Sequence, residues 1–198
     1  MLKIGLTGGI GSGKSTISKI FEFLDIKIYN SDIRSKILIQ KDKNLVERIK
    51  KEFGESMYDE NNFLNKEKLS DIVFKNEKAL KKLNSITHPA VEKDFENWCK
   101  ENKNQKYIIK ESAILFESGI ENKMDAIISV YASKEIRIER IRKRDKISRE
   151  KVLEIIKNQM PDSLKMAKSN YVIITDKSQS VIKQVMLLHN TLNQLDRQ

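Results

Sequence analysis

Leu2, Ile4 and Leu6 alternate with smaller or polar residues, and Ile17, Ile20, Phe21 and Leu24 then fall three or four positions apart, so the chain opens as a strand followed by a helix. Further strand-type runs follow at residues 26–29, 107–113, 126–131 and 171–175. Between residues 33 and 104 the pattern is almost wholly helical, with segments predicted at 43–53, 66–74, 77–83 and 90–100. Gly54 and the stretch 59–62 punctuate them, and Thr87-His88-Pro89 reads as a helix start with proline in the first turn. Beyond the fourth strand come a basic helix, helical pieces at 152–160 and 163–168 around Pro161, and a closing amphipathic helix over 178–195. Five strands joined by helical crossovers predict an α/β fold: a parallel sheet with helices on both faces, a helical insertion near one edge and a helical lid.

The turn between the first strand and helix carries the chemistry. Gly8-Gly9-Ile10-Gly11-Ser12-Gly13-Lys14-Ser15 spells G-x-x-x-x-G-K-S, the phosphate-binding loop, in its required strand–loop–helix setting. Backbone N–H groups wrap a polyphosphate only where side chains do not block the approach, and glycine removes them. The loop delivers the phosphates to a helix N-terminus, where unpaired N–H groups and the helix dipole favour anions. Gly11, Ser12, Gly13, Lys14, Ser15 and Thr16 are therefore the expected ATP contacts, with Lys14 on the β/γ-phosphates and the Ser15 hydroxyl on Mg²⁺. An acidic residue ending an apolar strand commonly holds the metal's water shell, which makes Glu111 the second metal candidate. Asp32 follows the second strand and should arrive at the carboxyl edge of the sheet, where ligands bind. There it serves as a general base or caps the next helix. Arg137, Arg140 and Arg144 share one face of the basic helix, which makes it a candidate lid over the phosphates.

Composition narrows the class. At 198 residues the chain suffices for one well-cored domain with insertions. A formal net charge of +10 suits an anionic partner. The lone Cys99 precludes an intrachain disulfide and fits a reducing cytoplasm, and no uncharged run reaches the roughly 18 residues of a membrane helix, so no membrane partner is expected. Asn122-Lys123-Met124-Asp125 matches the N-K-x-D of guanine-reading proteins, but it precedes a strand instead of following one, and no glycine has an Asp three residues before it. A nucleic-acid partner is not expected, because the basic helix lacks interleaved aromatics.

Taken together, these residues resemble the dephospho-coenzyme A kinase family over nearly the whole chain. The resemblance runs from Leu6-Thr7-Gly8-Gly9-Ile10 through the loop, Asn30-Ser31-Asp32, His88-Pro89, Ile114-Leu115-Phe116-Glu117, Arg140 and Arg144, to Gln159. The chain departs from the family pattern in Asn30 for Asp, Lys36 for Arg or His, Glu111 for Asp, Ala113 for Pro, Arg137 for Gln and Thr175 for Asn. The resemblance implies transfer of the γ-phosphoryl group of ATP, with Mg²⁺, to the ribose 3′-hydroxyl of 3′-dephospho-CoA. It implies Asp32, Lys14 and Arg140 as catalytic residues, and Asp32, His88 and Arg144 as substrate contacts. It further implies a nucleotide core over about 1–30, 105–132 and 170–198, a CoA domain over about 31–104 and a lid over about 133–169, in a monomer or weak homo-oligomer. A nucleoside or nucleotide kinase of the same architecture, and a regulator that binds ATP without turnover, are the alternatives.

Overall fold

The structure is a computed structural model that describes residues 1–195, the side chains of 74 and 75 apart. Residues 196–198, expected as the end of the nucleotide core, lie outside the described residues. Strands β1 (Leu2–Thr7), β2 (Ile28–Asn30), β3 (Tyr107–Glu111), β4 (Ala126–Tyr131) and β5 (Tyr171–Ile174) form one parallel sheet in the order β2-β3-β1-β4-β5. The alternation in β1 settles its two faces. Leu2, Ile4 and Leu6 join Ile109, Ile128 and Ile173 under helices α1 (Lys14–Phe23) and α9 (Val181–Gln194), which contribute Ile17, Phe21, Val185, Leu188 and Leu192. On the opposite face Leu115, Phe116 and Ile127 form a smaller cluster. A side chain on Gly5 would meet Leu115 Cδ1 at 2.6 Å, so the glycine makes room for that leucine.

Contacts divide the chain into two compact units, Met1–Asn30 with the chain from Asn102 onward, and Ser31–Glu101. The residues expected as a lid, 133–169, fall in the first unit, as helices α6 (Lys134–Asp145), α7 (Arg149–Lys157) and α8 (Asp162–Ala167). Ile138, Ile141 and Val152 of α6 and α7 pack together, with Ile10 of the glycine loop against them. The second unit holds α2 (Ser31–Lys41), α3 (Lys43–Phe53), α4 (Lys66–Lys75) and α5 (Glu77–Glu101) around Leu45, Ile49, Met57 and Ile86. Asp42 caps α3 by accepting from Leu45 N–H at 2.9 Å, and Arg34 Nε donates to Asp94 at 2.8 Å to tie α2 to α5.

Thr87-His88-Pro89 does not start a helix: α5 runs unbroken from Glu77 to Glu101 with Pro89 inside it. An interior proline costs about 3 kcal/mol through its missing N–H and its ring. Buried Ile86, Thr87, Phe95 and Cys99 on either side offset that cost, and the Thr87 hydroxyl turns back to donate to Leu83 C=O at 3.0 Å.

Candidate active site

The glycine loop leaves β1 at the carboxyl edge of the sheet and closes on itself through Ser12 N–H to Gly9 C=O, 3.1 Å. Gly11 (φ 76°) and Gly13 (φ 100°) take left-handed backbone conformations that other residues adopt only with strain. Gly13 is the N-cap of α1, and no side chain caps that helix end. The amides of Gly11 and Gly13 have no acceptor among the described residues. An uncapped helix start with open amides is an anion site. Lys14 Nζ folds over the loop and donates to Gly8 C=O at 2.7 Å and Gly9 C=O at 3.3 Å, which sets its charge at the loop's mouth.

One turn along α1, the Ser18 hydroxyl donates to Glu111 Oε2 at 2.8 Å, and Asn30 Nδ2 donates to the same oxygen at 3.0 Å. Register explains the meeting, because Glu111 ends β3 opposite both Leu6 and Asn30. Both bonds fall on Oε2, which leaves Oε1 of a nearly buried carboxylate without a protein donor among the described residues. Ser15 is exposed and lies three residues before Ser18, on the same side of the helix. A hydroxyl and a carboxylate oxygen so disposed are hard oxygen donors that fit a divalent ion carried in with phosphates. Thr16 is exposed beside Ser15. Asp32 is exposed in the first turn of α2, two residues beyond Asn30, and His88 is half-buried in the middle of α5.

The basic helix α6 grades from buried to exposed. Arg137 is 2 % exposed; its Nε donates to Ile10 C=O at 2.8 Å and its guanidinium pairs with Asp162. Arg140 donates to the carbonyls of Gly11 and Ser12, both at 3.3 Å, and to Thr175 Oγ1 at 3.0 Å and the Thr175 carbonyl. Arg144 is exposed and paired with its neighbour Asp145 at 2.7 Å, a contact that holds the Asp145 carboxyl below its usual range. The structure therefore brings Arg140 to the loop backbone and leaves Arg144 in solvent.

Further side chains support the loop and its surroundings through contacts that the sequence pattern does not specify. Thr175 Oγ1, just past β5, donates to Ser12 C=O at 2.6 Å. Gln159 Oε1 accepts from Ile10 N–H at 2.9 Å. Lys165, with no exposed surface, donates to Ala113 C=O and pairs with Glu117, each at 2.8 Å. Glu117 also accepts from Met160 N–H at 3.0 Å. Burial pushes the Glu117 carboxyl up, but the bonds from Lys165 and the Met160 amide outweigh it and hold the group below its usual range. Asp125 of the N-K-x-D match exchanges backbone and carboxylate bonds with Lys3 at the start of β1, a structural use at the opposite edge from the loop.

Comparison with known proteins identifies the family. The dephospho-CoA kinase family model matches residues 2–181. A dephospho-CoA kinase of Fusobacterium nucleatum is 42% identical over 170 residues, covering 86% of this chain and 87% of that protein. One from Bacteroides fragilis is 36% identical over 187 residues, covering 94% and 91%. A crystal structure of a Thermus thermophilus protein superposes with a TM-score of 0.83 at 26% identity, covering 99% of this chain and 98% of that one. Dephospho-CoA kinase from Campylobacter jejuni shares the fold at a TM-score of 0.72 and 23% identity, over 96% of each chain. With the phosphate-binding loop at the head of the matched span and the match running through every strand of the sheet, the chain belongs to the dephospho-CoA kinase family, kinases of coenzyme A biosynthesis.

Proposed function

We propose that the chain moves the γ-phosphoryl group of ATP to the 3′-hydroxyl of 3′-dephospho-CoA, and that the residues named above divide the work as follows. The loop amides and Lys14 hold the β/γ-phosphates, because the uncapped start of α1 and an ammonium lying across the loop's mouth both favour concentrated negative charge. Ser15 and Glu111 hold the divalent ion, Mg²⁺ in this reading, which supplies charge neutralisation on the phosphates when bound. Asp32 accepts the proton of the ribose hydroxyl. The chain supports that role by setting it two residues after Asn30, whose amide reaches the buried Glu111 carboxylate. His88 and Arg144 contact the acceptor.

Arg140 adds charge at the phosphates. In the present arrangement its guanidinium rests on the carbonyls of Gly11, Ser12 and Thr175. To reach a transferring phosphoryl group it has to exchange them for phosphate oxygens, a movement that suits residues 133–169 acting as a lid. The observation that carries the proposal is the loop itself: positive-φ glycines, open amides and an uncapped helix start, on a chain whose named relatives are dephospho-CoA kinases.

The test offers the protein Mg-ATP with dephospho-CoA, adenosine, AMP or CMP in turn. Phosphate on dephospho-CoA alone is the expected result, and transfer to AMP or CMP in preference would move the reading to the nucleotide kinases. In the same assay Asp32→Asn should bind ATP as wild type yet lose about 10²-fold in kcat; activity within a few-fold of wild type would remove Asp32 as the base.

A further inference from the structure

Residues 159–165 reach the glycine loop in two ways, directly through Gln159 and through Arg137, which pairs with Asp162. Arg137 Nε donates to Ile10 C=O at 2.8 Å, while Gln159 Oε1 takes Ile10 N–H at 2.9 Å. Both backbone groups of Ile10 are thus held by residues outside the phosphate-loop motif. The Arg137 guanidinium fills the space beside Gly9, where a Cβ would lie 2.5 Å from Arg137 Cζ. Its outer face pairs with Asp162, at the start of α8, and three residues on Lys165 fixes that helix to Glu117 and Ala113.

The carbonyl of Ile10 and the N–H of Gly11 belong to one planar trans peptide, so they point in opposite directions. Whatever holds the carbonyl therefore aims the amide. Arg137 holds it from the α6 side, and the Gly11 N–H, which has no acceptor among the described residues, is turned the other way. We infer that Arg137 is a positioning residue for phosphoryl transfer: it orients the Gly11 amide for the phosphates and, through Asp162, makes that orientation depend on the 159–165 segment. This rests on the loop being the ATP phosphate site. It does not rest on the identity of the acceptor, so the test uses ATP alone.

The test measures the Mg-ATP dissociation constant by calorimetry and, without nucleotide, the amide exchange of Ile10 and Ser12, at a temperature where every variant is folded. Arg137→Met deletes the donor and strands Asp162; it should weaken ATP binding about tenfold and speed exchange at both amides. Arg137→Gln combined with Asp162→Asn keeps an amide donor for Ile10 C=O and leaves no unpaired charge, and it should bind within about threefold of wild type. A merely structural arginine would lower the melting temperature of Arg137→Met and leave both readouts of the folded protein alone. ATP affinity within about twofold of wild type in Arg137→Met, or a double variant as weak as Arg137→Met, would overturn the inference. If Arg137→Met does not fold, Asp162→Asn carries the test: a loss of about threefold in ATP affinity with faster Ile10 exchange supports it, and wild-type values of both overturn it.

Discussion

Replacing Lys165 with methionine probes how the chain anchors α8 beneath the site. The Lys165 side chain has no exposed surface and its ammonium bonds Glu117 and Ala113 C=O, each at 2.8 Å, while the Glu117 side chain keeps 24% exposure. Removing one partner of a buried ion pair costs about 3–5 kcal/mol, because the other is left charged and unpaired. Glu117 can still draw on water and the Met160 amide, which places Lys165→Met near the lower end, about 3 kcal/mol. For a domain of this size that is a fall of about 6–12 °C in Tm, read by circular dichroism. Adding Glu117→Gln removes the stranded charge and should recover most of the loss. The pair also sets an acid limit. The Glu117 carboxyl is held below its ordinary value of 4.5, so its contribution is complete above that value and lost as pH falls through the lower folded one. Wild type should therefore lose more stability than Glu117→Gln on acidification below about pH 4.5. A fall of less than about 2 °C in Lys165→Met, or a double variant less stable than the single one, would refute the reasoning.

Other substitutions test the loop and its supports. Lys14→Ala should leave circular dichroism unchanged and lower kcat about 10²–10³-fold in an ADP-release assay, since it deletes one preorganised cation at the phosphates. Thr175→Val keeps shape but removes the hydroxyl that holds Ser12 C=O at 2.6 Å, and should weaken ATP binding about fivefold, measured by calorimetry. Gly11→Ala imposes about 1–2 kcal/mol of strain at φ 76° and sets a Cβ 2.8 Å from Arg137 C=O; ATP binding should fall well beyond that of Thr175→Val.

What the sequence disclosed and what it hid divide along physical lines. Strands whose apolar side chains alternate, such as Leu2, Ile4 and Leu6, and helices with a single apolar stripe, such as Lys43–Phe53, carry their partners' location in their own pattern. Pro89 misled because its local cost is set against burial of Phe95 and Cys99 further along the same helix, a tertiary sum that no local rule contains. Arg137 is expected on the face of a lid and Lys165 carries no signal of its own, yet each is buried, because its counter-charge comes from a distant part of the chain. The phosphate loop was legible because its chemistry is local: glycines, a lysine and a helix start within eight residues. Its outer supports, Thr175 and Gln159, stand in the sequence only as positions of the family pattern; that they bond Ser12 and Ile10, more than a hundred residues away, follows from the fold.

The strand order has a consequence for how binding is lost. β1, which carries the loop, is bonded to β3 on one side and β4 on the other, whereas β5 closes the row. Outer strands fray before inner ones, at free energies well below global unfolding. Thr175 sits one residue past that outer strand and grips Ser12 C=O. Loosening of a single margin, with the rest of the sheet intact, thus withdraws a support from the loop while its own strand stays locked. Nucleotide affinity is in this way tied to an outer rim of the sheet, and a bound nucleotide, by the same linkage, slows hydrogen exchange along Tyr171–Ile174.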